Sequence, residues 1–345
     1  MELGISMFGD LHVDPVTGHI QPAQDRLREL IEEIKLADEV GLDLVGIGEH
    51  HRAEYAVSSP EIILAAAATV TKNIKLTSSV TVLSSSDPVR IYQHFAMVDL
   101  LSGGRAELVA GRGSFTESFP LFGYDLRHYD ALFEEKLALL LQINKSAAIN
   151  WEGRFRPALV DQQVYPRAVG NQLPVWIAAG GSPESVVRAA RLGLPLVFAV
   201  VAGTPIDRFL PLYRLYKAVY QEYGHSMDTF QAGMFSHGLP GENSRSIADY
   251  YYPLYAAQMD RIGKSRGWSP FQRTQYDFGC SPKGAMFVGD ANEVAEKILY
   301  AQELLGITRF TAHLDVGAPS HKHLMKAIEI FGTRVAPQVR AALAK

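Results

Sequence analysis

Residues 74–113 read IKLTSSVTVLSSSDPVRIYQHFAMVDLLSGGRAELVAGRG. The run from Ile74 to Leu83 is short, apolar and rich in β-branched residues, which predicts a strand. The segment after Asp87-Pro88 predicts a helix ending near Ser102. Arg105 to Gly111 predicts a second strand. A strand, a helix and a strand in this order belong to a parallel sheet with a crossover helix.

The same alternation extends in both directions. On the N-terminal side stand a strand from Leu3 to Phe8, a helix from Ala23 to Gly41, a strand from Leu42 to Glu49 and a helix from Pro60 to Thr71. On the C-terminal side, helices are expected at 130–144, 183–192, 206–223, 291–305 and 321–342. The strands between them are expected at 174–179, 194–201, 229–235 and 308–316. Eight strands and eight helices in strict alternation predict an α/β fold, a (β/α)8 TIM barrel, whose closed sheet leaves no edge. An open doubly wound sheet is the competing arrangement. A bare barrel needs roughly 250 of the 345 residues. The surplus fits irregular stretches after Gly113, across Trp151–Gln172, where a small hairpin is possible, and across Ser236–Lys283. The chain therefore reads as a single domain, 1–345, with 236–283 as an insertion or lid at the C-terminal mouth.

Composition narrows the function. Net charge is −4, with no basic run of the kind a nucleic-acid partner requires. Cys280 is the one cysteine, so neither an intrachain disulfide nor a Cys-rich metal site is possible. The longest apolar run, near 194–202, is too short to cross a bilayer, and the N-terminus lacks the pattern of a signal peptide. A cytoplasmic protein with no membrane partner is expected.

In a barrel of this kind the chemistry gathers where strands end. Glu49-His50-His51-Arg52 ends the second strand, and alternation directs one imidazole into the mouth. The alternative for these histidines is ordinary hydrogen bonding at a strand end. No metal site is expected, because no further ligand stands at a familiar spacing. Gly111-Arg112-Gly113 ends the fourth strand, where an arginine fork between glycines suits a phosphate or is a surface residue in a turn. Gly180-Gly181-Ser182 leads from the fifth strand into a helix N-terminus, a natural anion site on the neighbouring strand. Thr77-Ser78-Ser79-Val80-Thr81 leaves room near the axis or marks a cramped packing site. Ser102-Gly103-Gly104-Arg105, at the opposite end, reads as structural. Phe115, Phe119, Phe122 and Tyr124, together with Tyr250, Tyr251, Tyr252, Tyr255, Trp268, Phe271, Tyr276 and Phe278, could form an aromatic lid, or could pack among themselves or at a subunit interface.

Taken in order, Ile47-Gly48-Glu49-His50-His51, Asp87-Pro88-Val89-Arg90, Leu100-Leu101-Ser102-Gly103-Gly104-Arg105, Gly111-Arg112-Gly113 and Phe287-Val288-Gly289-Asp290 resemble the motifs of the bacterial luciferase-like flavin monooxygenases. That resemblance runs from the first strand to the last helix. It implies FMN at the mouth, with Arg112, Gly180, Gly181 and Ser182 on its phosphate. It implies a non-prolyl cis bond between Ser79 and Val80 beneath the ring, and His50 as the catalytic base or acid. It further implies a monooxygenase acting on paired donors, in which reduced FMN from a separate reductase and molecular oxygen act on a small-molecule substrate, and a homodimer. The luciferases carry a reactive cysteine where this chain has Gly111, which argues against assuming light emission. Three competing readings remain: a deazaflavin enzyme of the same fold moving only hydride, a flavin-binding protein without turnover, and, more remotely, a metal-dependent barrel hydrolase built on His50 and His51.

Overall fold

The computed structural model describes residues 1–14, 16–200, 204–264 and 266–344. Its eight principal strands are β1 (Glu2–Met7), β2 (Leu44–Ile47), β3 (Lys75–Ser78), β4 (Ala106–Gly111), β5 (Val175–Ala179), β6 (Leu196–Val200), β7 (Ala232–Pro240) and β8 (Arg309–His313). Each pairs in parallel with its neighbours in chain order. The pairing of β8 with β1, from Glu2 opposite Arg309 to Ser6 opposite His313, closes the ring. The sheet is therefore a barrel, and the open doubly wound alternative is overturned. The helices of the barrel are α1 (Ala23–Glu39), α2 (Pro60–Ala68), α3 (Pro88–Ser102), α4 (Tyr129–Lys145), α5 (Pro183–Arg191) and α6 (Leu210–Glu222), followed after the insertion by α9 (Ala291–Leu305), α10 (His321–Ile330) and α11 (Ala336–Leu343).

Local chemistry fixes several boundaries. Asp87 caps α3 by accepting from the backbone N–H groups of Val89 and Arg90, and Pro88 fills the first helical position. Gly103, at φ 71°, ends the helix in the left-handed region. Arg105 then donates to the carbonyls of Ala68, Thr71 and Ile74, which serves the C-terminal end of α2 and confirms the structural role expected of this motif.

The non-prolyl cis bond between Ser79 and Val80 that the family resemblance implies is present. It interrupts the strand expected to run unbroken from Ile74 to Leu83, and pairing resumes at Thr81 and Val82 opposite Ala110 and Gly111. The expected last helix is divided by a π turn at Phe331–Val335, just before Pro337, which has no N–H to return to the preceding turn. The seventh strand runs five residues beyond Phe235 to Pro240, because Gly238–Pro240 pair with Phe287–Gly289. The insertion proper therefore starts after Pro240 and folds as α7 (Ser244–Lys264) and α8 (Arg273–Cys280). Lys297 on α9 fastens α8 by donating to the carbonyls of Gly279, Cys280 and Met286. The expected hairpin lies at Ala148–Trp151 and Leu159–Gln163. The expected sixth strand is described as far as Val200, and its last residue, Val201, lies outside the described residues.

Inside the barrel, alternation sends every second residue to the axis. At the N-terminal end these are Glu2, Lys75, Glu107 and Arg309, joined by ion pairs of 2.6–3.1 Å. The indole of Trp176 lies over Arg309 at 4.0 Å. Val109, Trp176, Val197 and Phe235 form the next, apolar layer. The barrel is thus plugged below, and only its C-terminal end can open.

Candidate active site

At that end the strands converge on a cavity of about 430 Å³. Its walls are mainly apolar and aromatic: Phe8 after β1, Tyr55 after β2, Val80, Phe115 after β4, and Met259, Ile262 and Trp268 from the insertion. Of the twelve aromatic residues considered for a lid, only Phe115 and Trp268 line it. Tyr251, Tyr255 and Tyr276 instead bury their rings against one another, so packing within the insertion takes these three. Arg266 joins the two covering segments. Its guanidinium lies 4.8 Å from the Phe115 ring and 5.1 Å from that of Trp268, and it donates to the Ser114 carbonyl.

One end of the cavity is built for an anion. Arg112 Nη2 donates to Ser182 Oγ at 3.1 Å, and Ser182 caps α5. Arg112 also pairs with Asp130 at 2.6 Å and lies over the Tyr129 ring. Gly180 faces the cavity, and a Cβ at Gly180 or Gly181 would meet open space. Gly181, at φ 120°, holds a turn that side chains rarely adopt. The residues expected to bind a phosphate are therefore together, beside a helix N-terminus, with room in front of them.

Between this end and the axis, the Val80 side chain forms a ledge. Gly111 makes the ledge possible, because a Cβ there would overlap Val80 Cγ2. The volume that a cysteine would occupy is thus taken by valine. Ser79 Oγ, beside the ledge, is buried and has no hydrogen-bond partner among the described residues.

The opposite end gathers imidazoles. His50 and His51 both line the cavity, but they differ in kind. Glu49 accepts from or pairs with His51 Nε2 at 2.9 Å and accepts the Val82 N–H with its other oxygen. His50 is wedged among the rings of Phe8, Tyr55 and Phe115, and its Nε2 is buried without a partner among the described residues. Burial, followed by the neighbouring His313, His51 and Arg52, depresses its pKa to about 3. Sequence reading missed two further histidines. His237 on β7 contacts Tyr255 Oη through Nδ1 at 2.7 Å, and burial lowers its pKa to about 3. His313 on β8 meets Asp315 Oδ1 at 3.1 Å through Nε2. Alternation held the signal, since Gly233-Phe235-His237 and Arg309-Thr311-His313 each follow one face, but the seventh strand was expected to stop at Phe235.

Asp315 is fully buried. It accepts from the backbone N–H groups of Phe8, Gly9 and Asp10 and from Arg26, which also pairs with buried Glu33. Burial alone would raise its pKa, yet the hydrogen bond from His313, the His313 and Arg26 charges and the Phe8 N–H hold it at about 2. Asp10, nearby, is pushed well above the carboxylate range by burial and then by Asp315. Asp10, His313 and Asp315 could geometrically ligate a cation, but the oxygens of Asp315 are already engaged. His50 and His51 belong to neither of the ligand-like clusters found among the described residues.

A sequence model of a family described as luciferase-like monooxygenase matches residues 1–308. Three solved structures share the fold. Monooxygenase RslO1 from Streptomyces bottropensis superposes with a TM-score of 0.83 at 21% identity, covering 98% of this chain and 99% of that one. The oxygenating constituent of 3,6-diketocamphane monooxygenase from Pseudomonas putida, a type II Baeyer–Villiger monooxygenase in complex with FMN, gives 0.75 at 19% identity, with 98% of each chain covered. The coenzyme F420-dependent tetrahydromethanopterin reductase from Methanopyrus kandleri gives 0.73 at 17% identity, covering 98% of this chain and 99% of that one.

Proposed function

Because the chain belongs to the luciferase-like monooxygenase family, we propose that it is a flavin-dependent monooxygenase acting with reduced FMN and molecular oxygen on a small organic molecule. The observation that carries this reading is the meeting of Arg112 and Ser182 at one end of an apolar cavity whose other end holds His50. An elongated ligand with a flat apolar part and a terminal phosphate matches that layout. Arg112, the Ser182 hydroxyl and the backbone at Gly180 and Gly181 would take the phosphate, with Arg112 exchanging Asp130 for it. Ser79 and Val80 would lie under the ring. Bound reduced flavin supplies the redox and oxygen chemistry.

The chain's own residues set the environment. The aromatic wall and the Arg266 clasp exclude water from the reacting end. His50, neutral in its buried position, offers an unpartnered ring nitrogen that can hydrogen-bond a substrate oxygen or exchange a proton with it. No nucleotide-binding glycine fingerprint follows a strand, so the reduced cofactor is proposed to come from a separate reductase. The chain acts in this reading as one cytoplasmic barrel domain with the part of the 236–283 segment that follows Pro240 as its lid. Among the described residues, no helix is long and apolar enough to cross a membrane. A homodimer is part of the same proposal, supported by Ile62, Met97, Leu100 and Leu101, which expose apolar side chains on the neighbouring helices α2 and α3.

Titration of the purified protein with FMN, oxidised and then reduced, tests the reading. Saturable binding that weakens at least tenfold in Arg112→Ala is expected. Absence of FMN binding in both redox states, with saturable binding of the deazaflavin F420, would overturn it in favour of hydride transfer without oxygen. FMN binding with no substrate oxidation under reduced flavin and oxygen would leave a flavin carrier.

A further inference from the structure

Three imidazoles, those of His50, His237 and His313, point into the same end of the cavity, and their partners differ. His50 has rings around it and no partner on Nε2. His237 has a phenol, Tyr255. Of these three only His313 has a carboxylate, at 3.1 Å, while His51, which also lines the cavity, has Glu49 at 2.9 Å, whose other oxygen is taken by the Val82 N–H. The Asp315 carboxylate beside His313 is not free to move, because three consecutive backbone N–H groups and the buried Arg26 fix both of its oxygens. Asp315 accepts from Nε2, so the neutral His313 ring places its lone pair on Nδ1. Nδ1 has no hydrogen-bond partner among the described residues, and the ring lines the cavity.

We propose that His313, oriented by Asp315, is the residue that carries a proton between the protein and an oxygen atom of the bound organic molecule, and that His50 serves that molecule as a neutral hydrogen-bonding group. In the forward direction the O–H bond of a bound hydroxyl breaks and its electron pair stays on oxygen. The proton forms a new bond with the Nδ1 lone pair, and the resulting imidazolium stands against the Asp315 carboxylate. In the reverse direction the imidazolium returns that proton to an oxygen. An ionised partner favours the charged ring, whereas burial without one disfavours it, so geometry separates His313 from its two neighbours. The direction of the shifts at His50 and His237, both strongly downward, agrees with this division.

The titratable and charged groups around His313 and its carboxylate come from several elements. Asp10 after β1, His237 from β7 and Asp315 after β8 lie beside the ring, and His50 after β2 packs on the same Phe8 ring. One step further out, Arg26 from α1 pairs with Asp315 and with Glu33, Tyr255 from α7 bonds His237, and Tyr55 after β2 and Arg261 from α7 act on Asp10. Arg26 and Arg261 oppose a second positive charge in this region, and Asp315 favours it. Burial and then Asp315 push the Asp10 carboxyl well above the carboxylate range, which weakens its pull on a charged ring.

The use of the proton rests on the proposed oxidoreductase reading, but its location can be measured without cofactor. The experiment is a long-range 1H–15N spectrum of the histidine-labelled apoprotein from pH 5 to 9. Each cavity imidazole is assigned by the signal lost in His313→Gln, His50→Gln or His237→Gln. The expected result is that the His313 ring carries its proton on Nε2 and leaves Nδ1 open, while His50 and His237 take up no second proton in this range. Asp315→Asn is expected to move a share of the His313 rings to the Nδ1 tautomer. Should that variant not fold, the wild-type spectrum still decides. A His313 ring that carries its single proton on Nδ1, or a His50 ring that takes up a second proton in its place, would overturn the proposal. Because no flavin is present, a failure here is distinct from a failure to bind FMN.

Discussion

Glu49 and Val82 are 33 residues apart, and the carboxylate of one accepts the backbone N–H of the other at 2.9 Å. The second oxygen of Glu49 holds His51. One side chain therefore sets the height at which the chain re-enters the barrel after Val80 and orients the imidazole next to His50. Glu49→Ala is expected to destabilise the protein by about 1–3 kcal/mol, the range for leaving a buried donor unpaired. It is also expected to weaken FMN binding through displacement of the Val80 ledge. Chemical denaturation and flavin titration of the same variant measure the two effects.

The ledge itself gives a second prediction. Gly111 and Val80 share a volume that cannot hold both a Cβ and the valine methyl groups. Gly111→Ala alone is expected to cost about 1–3 kcal/mol, as overpacking in a rigid core does. Val80→Ala alone costs less, since the valine is only partly buried. In the double variant the two losses should cancel in part, and a coupling energy near zero in a double-mutant cycle would show that the residues do not compete.

How far this site could be read in advance depended on the kind of signal. Arg112, Gly180, Gly181 and Ser182 were legible because glycines flank an arginine or precede a helix, and such chemistry is local in sequence. His313 and Asp315 were not. Each looks like an ordinary residue near a strand end, and their relationship depends on Arg26 from α1 and on the backbone of Phe8–Asp10, some 300 positions away. The barrel was legible from alternation alone, whereas the break at Ser79–Val80 was expected only from family resemblance. The extension of β7 was hidden because its partner, Phe287–Gly289, lies beyond the insertion. The aromatic residues misled because a buried tyrosine cluster and an aromatic lid have the same composition.

The buried imidazoles make stability depend on acidity. His50 and His237 have folded pKa values of about 3, below the ordinary 6.5. Between those values the unfolded chain binds more protons than the folded one, so stability falls as pH drops below 6.5 and continues to fall toward 3. By pH 5 each contributes a loss of about 2 kcal/mol, at about 1.4 kcal/mol per pH unit. Asp10, whose pKa is raised, opposes this trend, so the useful quantity is a difference. His50→Gln should lose less stability than wild type between pH 7 and 5, measured by denaturant titration at both values. Parallel pH dependence in the two proteins would count against a neutral, buried His50.

The plug at the other end of the barrel should matter for folding and not for the site. Arg309 is buried among Glu2, Glu107 and the face of Trp176. Arg309→Ala leaves two carboxylates facing each other with only Lys75 between them, and removing one partner from such a buried set costs about 3–5 kcal/mol. Flavin affinity of the fraction that folds is expected to stay within twofold of wild type, because the apolar layer of Val109, Val197 and Phe235 separates the plug from the cavity.

The exposed residues of α2 and α3 bear on assembly. Met97 and Leu101 lie one turn apart on α3 and each leaves about half of its surface in solvent, while Ile62 leaves about two thirds on α2, which His94 and Glu61 hold against α3. Singly exposed apolar residues need no explanation, but a shared face of this kind is unfavourable unless another surface covers it. A second copy related by a twofold axis would place the same residues against each other. Light scattering coupled to size exclusion is expected to give twice the 38.0 kDa chain mass for wild type. The pair Met97→Glu and Leu101→Glu should bring it to one chain mass, since like charges would then meet across the axis. A monomeric wild type would remove the homodimer from the proposal and leave the active site unaffected, because every residue assigned to it comes from one chain.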